Sequence, residues 1–198
     1  MPCRRPLLTA KRHKRERREN VTIRRLPRKL YTDHVLRYTY ESAFHYRASL
    51  VETKDGFSFT FKKEPLPEVL HRECFDTLFQ PYWKGVTAYG AFENADGAPV
   101  AYLELAREEW NDRLVITQLL VEEPYRGKGI GKTLVDHAKK IAVHEDRRLI
   151  TLETQSCNLP AIEFYRKQGF VFSGTNLHFY SNDDVAENEV MLEMCYLY

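Results

Sequence analysis

The first segment with a readable period is Val21-Thr22-Ile23-Arg24-Arg25-Leu26, where apolar and polar side chains alternate as on a half-buried strand until Pro27 ends it. From Tyr31 to Leu70 aromatic residues recur without a clean period, although Gly56-Phe57-Ser58-Phe59-Thr60-Phe61 alternates like a strand. Residues 68–79 are predicted to form a short helix. Beyond Val86 the pattern sharpens: residues 86–92 and 99–106 read as two strands around Asn94-Ala95-Asp96-Gly97, which has hairpin turn chemistry, and residues 114–122 as a third. Together they predict an antiparallel meander.

The period then changes from two to nearly four. Ile130, Leu134, Ala138 and Ile141 put one apolar stripe on a helix over residues 129–144, with Lys132, Asp136, Lys139 and Lys140 on its polar face. Leu149-Ile150-Thr151-Leu152-Glu153-Thr154 is a β-branched strand, so strand, helix, strand here predicts a parallel pair joined by a crossover. A second helix follows over residues 159–168, with Asn158 suited to its N-cap, Pro160 to its first turn and Gly169 to the position past its end. Phe170-Val171-Phe172 and residues 189–198 read as closing strands. The fold class is α/β in the α+β sense: a mixed, mostly antiparallel sheet flanked by helices.

Charge divides the chain. Residues 1–29 hold 12 Lys and Arg against two acids, so the remainder carries 18 basic and 26 acidic residues. Residues 1–20 contain Lys11-Arg12-His13-Lys14-Arg15-Glu16-Arg17-Arg18, a self-repelling block expected to be a disordered extension. Residues 21–198 are expected to form one domain. An acidic body draws in cationic substrates at short range. Cys3, Cys74, Cys157 and Cys195 form no C-x-x-C pair, and the seven histidines have no ligand spacing, so no metal is expected. No apolar run approaches the roughly 18 residues of a membrane span. A cytoplasmic location fits, with a nuclear one open through the basic segment.

Between the third strand and the first long helix lies Arg126-Gly127-Lys128-Gly129-Ile130-Gly131. A glycine-rich turn at a helix N-terminus converges backbone N–H groups on an anion, and the helix dipole favours negative charge. Gly127, Gly129 and Gly131 let phosphate approach the main chain, and Arg126, Lys128 and Lys132 add positive charge. The spacing is neither the G-x-x-x-x-G-K-[ST] loop nor the dinucleotide G-x-G-x-x-G. Helix capping alone also accounts for such glycines.

The turn resembles the Q/R-x-x-G-x-G/A signature of the GNAT superfamily, and Asn158-Leu159-Pro160-Ala161-Ile162-Glu163-Phe164-Tyr165-Arg166-Lys167-Gln168-Gly169-Phe170 resembles that superfamily's second signature. Trp110-Asn111, Leu152-Glu153-Thr154-Gln155, Tyr180-Ser181-Asn182 and the aromatic C-terminus are similar to streptothricin acetyltransferases over residues 86–198. The resemblance implies a GNAT fold with a splayed central strand pair and acetyl-CoA as co-substrate. It implies pantetheine pairing with the backbone of Leu119, Leu120 and Val121, contact from Asn158, and the phosphates on residues 126–132, including Ile130. It also implies Tyr165 as general acid to the departing thiolate, and attack by an amine through a tetrahedral intermediate.

The base is less defined. Streptothricin-type enzymes carry an acidic pair on the central strand where this chain has Thr117-Gln118, leaving Glu153, Glu104 or a water relay, with Glu122 more remote. The expected acceptor is a small cationic amine, streptothricin-like or otherwise. Acetylation of protein lysine or a polyamine stays open, as does a catalytically silent module whose basic segment contacts nucleic acid. Nucleic acid is otherwise not an expected partner, and a homodimer is compatible with the sequence.

Overall fold

The computed structural model describes residues 21–198, so the expectation for residues 1–20 lies outside the described residues. A seven-stranded sheet runs in the spatial order β1 (Thr22–Leu26), β4 (Thr87–Phe92), β5 (Ala101–Glu108), β6 (Arg113–Val121), β7 (Leu149–Gln155), β9 (Met191–Tyr196) and β8 (Val171–Asn176). Its helices are α1 (Arg28–Tyr31), α2 (Ile130–His144) and α3 (Leu159–Lys167). β6 and β7 are its parallel pair, joined through α2 as the strand, helix, strand pattern predicts, and its other pairings are antiparallel.

Alternation along β5 builds a core on each face. Ala101, Leu103 and Leu105 pack with Ile130, Leu134, Val135, Ala138 and Ala142 of α2, while Tyr102 and Ala106 face Leu26, Leu36, Leu78 and Phe79. Val135 and Ala142 widen the predicted stripe of α2, and Ile141 sits half-buried at its edge. α3 ends as the glycine at 169 requires, with a left-handed φ of 88°.

The expected helix at residues 68–79 is not formed. That segment belongs to β3 (Gly56–Thr77), which pairs with β2 (Val35–Thr53) in a separate two-stranded sheet. Leu70, Cys74 and Leu78 recur every fourth residue, which suits a helix face, but cross-strand pairing with residues 35–42 decides the outcome. The register jumps between Ser42/Phe44 on one strand and Leu70/Pro65 on the other. The irregularity accommodates Pro65 and Pro67, which have no N–H for a ladder. The hairpin docks through Tyr46 N–H to the Ser156 carbonyl (2.9 Å) and Lys63 to Glu163 (3.0 Å).

Candidate functional site

β6 changes phase in its middle. Gln118 pairs with Glu104 and Ile116 with Leu105, so Thr117 is an extra residue, a β-bulge. Before it, Leu114 and Ile116 face the α2 core; after it, Leu119 and Val121 do, and Gln118 and Leu120 turn to the opposite face. A one-residue shift exchanges the two faces of a strand. The parallel pairing of β6 with β7 runs from Arg113/Leu149 to Ile116/Leu152 and stops at the bulge. Beyond it Leu119, Leu120 and Val121 keep β5 on one side and leave their other edge to the gap between β6 and β7.

The far end of that gap meets the glycine turn. After β6 a short 3-10 turn, Glu123–Tyr125, leads to Gly127 and Gly129, both left-handed with φ of 76° and 84°. No atom lies within 4 Å of where a Cβ would stand on either, so the space above their backbone is open. Gly129 is the N-cap of α2 and no side chain caps the first turn. The N–H groups there can meet an anion. Gly131 has another role: a Cβ there would come within 3.2 Å of the Phe164 ring, so this glycine lets α2 lie against α3. The Ile130 side chain is buried in the core, which leaves its backbone for the turn.

The basic residues of the turn are engaged differently. Arg126 donates from Nε to the Val121 carbonyl (3.0 Å) and from its terminal nitrogens to the Thr39 carbonyl (2.8 Å) and hydroxyl (3.1 Å). It therefore ties the hairpin to the end of β6, and its charge stands beside the turn. The Lys128 ammonium lies 5.0 Å from the Tyr125 ring centroid, and Lys132 pairs with Asp136 at 2.6 Å. Asn158 caps α3, its Oδ1 accepting from Ala161 N–H at 3.2 Å. Tyr165 is buried among aromatic rings, 5.1 Å from Phe164 and 5.6 Å from Phe170. Burial pushes its phenol well above the usual range, which keeps the proton on it.

On the opposite face, a cleft of about 360 Å³ opens over the bulge, lined by Thr117, Gln118 and Glu153 together with Asp76, Tyr82 and Trp83. Glu153 lines it and is solvent-accessible. Tyr180 donates to its Oε1 at 2.9 Å. Burial raises the Glu153 carboxyl, the Tyr180 hydrogen bond opposes that, and Asp76 adds to the rise. Glu108 and Glu193 also line the cleft, and they share Arg113 as ion-pair partner at 2.6 and 3.4 Å.

Glu104, the other expected base, is fully buried and outside the cleft lining. One oxygen accepts from Phe79 N–H (2.6 Å) and the other from the Thr117 hydroxyl (2.8 Å). Phe79 has a φ of 63°, so this carboxylate pins a left-handed turn where the hairpin rejoins the sheet. Alternation along β5 turns the Glu104 side chain toward the hairpin and into the core. Glu122 forms the N-cap of the 3-10 turn.

Asp76 has no signal in the sequence. It is one of three acids, with Glu68 and Glu73, in a segment with helical spacing, and only hairpin pairing carries it to the cleft. Its Oδ1 accepts from Thr77 N–H (2.6 Å) and Gln80 Nε2 (2.9 Å), and its Oδ2 from Gln118 Nε2 (2.5 Å). Gln118 Oε1 accepts in turn from the Tyr38 hydroxyl at 2.5 Å. Among the described residues no cluster of His, Cys, Asp or Glu could hold a metal ion, and no helix is long and apolar enough to cross a membrane.

A family model described as the acetyltransferase (GNAT) family matches residues 54–170. A streptothricin acetyltransferase of Escherichia coli is 38% identical over 104 residues, covering 52% of this chain and 58% of the relative. The chain spans about half the length of the curated relatives it matches. Among solved structures, a nourseothricin acetyltransferase superposes with a TM-score of 0.69 at 23% identity, over 89% of this chain and 98% of that one. A Bacillus anthracis str. Ames protein in complex with acetyl coenzyme A does so at 0.66 and 23%, over 91% and 99%. At that identity these likenesses bear on the fold.

Proposed function

The chain belongs to the acetyltransferase (GNAT) family, and on that premise we propose that it moves an acetyl group from acetyl-CoA to a primary amine of a small cationic molecule. The observation that carries this reading is the gap between β6 and β7. It opens at the Thr117 bulge, joins the uncapped turn at Gly129 on one side, and meets a cleft holding Asp76 and Glu153 on the other. The two substrates thus reach one gap from opposite faces.

Acetyl-CoA supplies the activated acyl group when bound. The glycine turn receives its phosphates, for which the open space over Gly127 and Gly129 leaves room. The outer edge of Leu119, Leu120 and Val121 offers main-chain groups to the pantetheine arm. At the reacting centre the amine lone pair forms a C–N bond to the acyl carbon, the carbonyl electrons moving to oxygen, and the tetrahedral intermediate collapses with the C–S bond breaking and thiolate leaving. Glu153 takes the proton lost by the amine, directly or through water, and its raised carboxyl brings it nearer the proton affinity a base needs at neutral pH. Tyr180 fixes its orientation. Tyr165, kept protonated by burial, gives a proton to the departing thiolate.

The acids lining the cleft outnumber its one cation, Arg113, and together with the Tyr82 and Trp83 rings this favours a cationic acceptor. A streptothricin-like amine is one member of that class, supported by the likeness to streptothricin acetyltransferases over about half the chain. The test is thiol release from acetyl-CoA across a panel of small diamines, aminoglycoside-like and streptothricin-like amines, and lysine peptides. Turnover of small cationic amines is expected. Turnover of lysine peptides alone overturns the acceptor class, and no thiol release with any amine overturns the activity.

A further inference from the structure

Gln118 is buried at the mouth of the gap, and its orientation follows from its neighbours. A carboxylate only accepts, so the amide nitrogen of Gln118 must face Asp76; its oxygen then faces Tyr38, whose hydroxyl must donate. The order Tyr38, Gln118, Asp76 is therefore polar in one direction. It joins the start of β2, the residue after the bulge of β6 and the end of β3. Asp76 accepts three hydrogen bonds and has no cationic partner among the described residues. A carboxylate offers about four lone-pair sites, so one is left for a donor from the cleft.

The surroundings fit a cation there. Two of the other cleft acids, Glu108 and Glu193, are already held by Arg113, and Glu153 is engaged by Tyr180. Tyr82 and Trp83 follow Asp76 closely in the chain and line the same cleft, their ring centroids 5.9 Å apart and tilted. A carboxylate beside tilted aromatic faces is a setting that recognises an ammonium.

Resting on the acyl-transfer reading above, we propose that Asp76, aimed by Gln118 and Tyr38, determines acceptor specificity by receiving an ammonium of the amine substrate while Glu153 serves the reacting nitrogen. The hairpin, through its last turn of strand, then supplies the anionic contact that β6 does not supply at Thr117-Gln118. The substrate class is narrowed to molecules with a second ammonium beside the amine that is acetylated. Two carboxylates in different surroundings divide the work: Glu153 is pushed toward base behaviour, and Asp76 is surrounded by donors.

The test is a charge swap across one hydrogen bond. Asp76→Asn keeps the oxygen that Thr77 and Gln80 use, removes the charge, and puts an amide nitrogen where Oδ2 accepts from Gln118, so the Gln118 amide must turn its oxygen to residue 76 and its nitrogen to the Tyr38 hydroxyl oxygen. Asp76→Asn with Gln118→Glu places the carboxylate on β6, where the amide of residue 76 and the Tyr38 hydroxyl both donate to it. With the full chain, KM for a diamine acceptor should rise about tenfold in the single variant, with kcat within about threefold and coenzyme A affinity unchanged. The swap should bring KM back to within about threefold of the starting value. Tyr38→Phe, which leaves the charge but frees the amide, should raise KM by about threefold.

Calorimetric titration of 1,4-diaminobutane into the coenzyme A complex, with n-butylamine beside it, reads the same effect without turnover. The diamine should lose affinity on Asp76→Asn and n-butylamine should change less. Unchanged diamine binding in a folded Asp76→Asn chain, a swap no better than the single variant, or no diamine binding by the unaltered chain overturns the proposal. Asp76-dependent diamine binding without thiol release from acetyl-CoA would instead sink the acyl-transfer reading and leave the ammonium site standing.

Discussion

The segment from β6 to α3 and the hairpin of β2 and β3 meet at one cleft, yet they hold their structure in different ways. In the first, each element announces itself locally: a glycine turn before an apolar stripe of period near four, an asparagine that caps α3, a glycine that ends it. In the second, strands of 19 and 22 residues pair mainly with each other and expose most of both faces, so their alternation is faint. Residues that must bury one face betray their period in the sequence; a two-stranded ribbon with little to bury does not. That is why the turn at residues 126–131 is legible and Asp76 is not, while Glu153 comes forward only through the resemblance of Leu152-Glu153-Thr154-Gln155. The position of Asp76 depends on a pairing between residues some forty apart, Asp76 with Leu36, and on no local pattern.

The sharpest test on the legible side is Glu153→Gln. Loss of the base is expected to cost about two to four powers of ten in kcat/KM, the usual range for general base catalysis. The unprotonated carboxylate is the active form and burial raises it. The rate of the unaltered chain should therefore fall as pH drops through a value above the ordinary glutamate range, and that acid limb should vanish in the variant. A retained limb, or a loss below tenfold, would move the base elsewhere, to water or to Asp76.

Next in size is Glu104→Ala, which probes how firmly the hairpin is joined to the sheet. Glu104 illustrates what sequence spacing leaves open, because strand alternation puts it on a face without saying whether that face is cleft or core. Removing the carboxylate strands the buried Phe79 N–H and leaves a left-handed turn without its acceptor. Unfolding free energy should drop by about 2–3 kcal/mol, read by denaturant titration. Burial raises this carboxyl above its unfolded value, so its favourable contribution is fully present below the unfolded pKa and is lost as pH rises through the folded one. The gap in stability between the two proteins should therefore widen toward acid. Loss of turnover without loss of stability would return Glu104 to the chemistry.

Gly129→Val acts on the cofactor side alone. A β-branched residue at φ of 84° is strained by about 2 kcal/mol, and its side chain would enter the open space above the turn. Coenzyme A should bind about thirtyfold more weakly by calorimetry. Diamine binding to the chain without cofactor should change little, since the cleft lies across the gap. Equal losses of both ligands would mean that the two regions are one mechanical unit.

The smallest effect expected comes from Arg126→Met, and it separates two readings of one residue. From sequence alone Arg126 belongs to the phosphate turn. In the fold its side chain reaches back to Thr39 of the hairpin and to the Val121 carbonyl, so its hydrogen bonds join the two regions. Methionine keeps most of the aliphatic stem and removes the donors. If the guanidinium is chiefly a tie, stability should fall by about 1 kcal/mol, because exposed hydrogen bonds of this kind contribute little individually. Coenzyme A affinity should then fall by less than about threefold, since the charge stands beside the turn and is screened by solvent. If it is chiefly a phosphate ligand, the order reverses, with affinity dropping tenfold or more and stability unmoved. Comparing the two at low and high salt decides the matter, because a lost phosphate contact shrinks with added salt while two hydrogen bonds to backbone carbonyls and one to a hydroxyl do not.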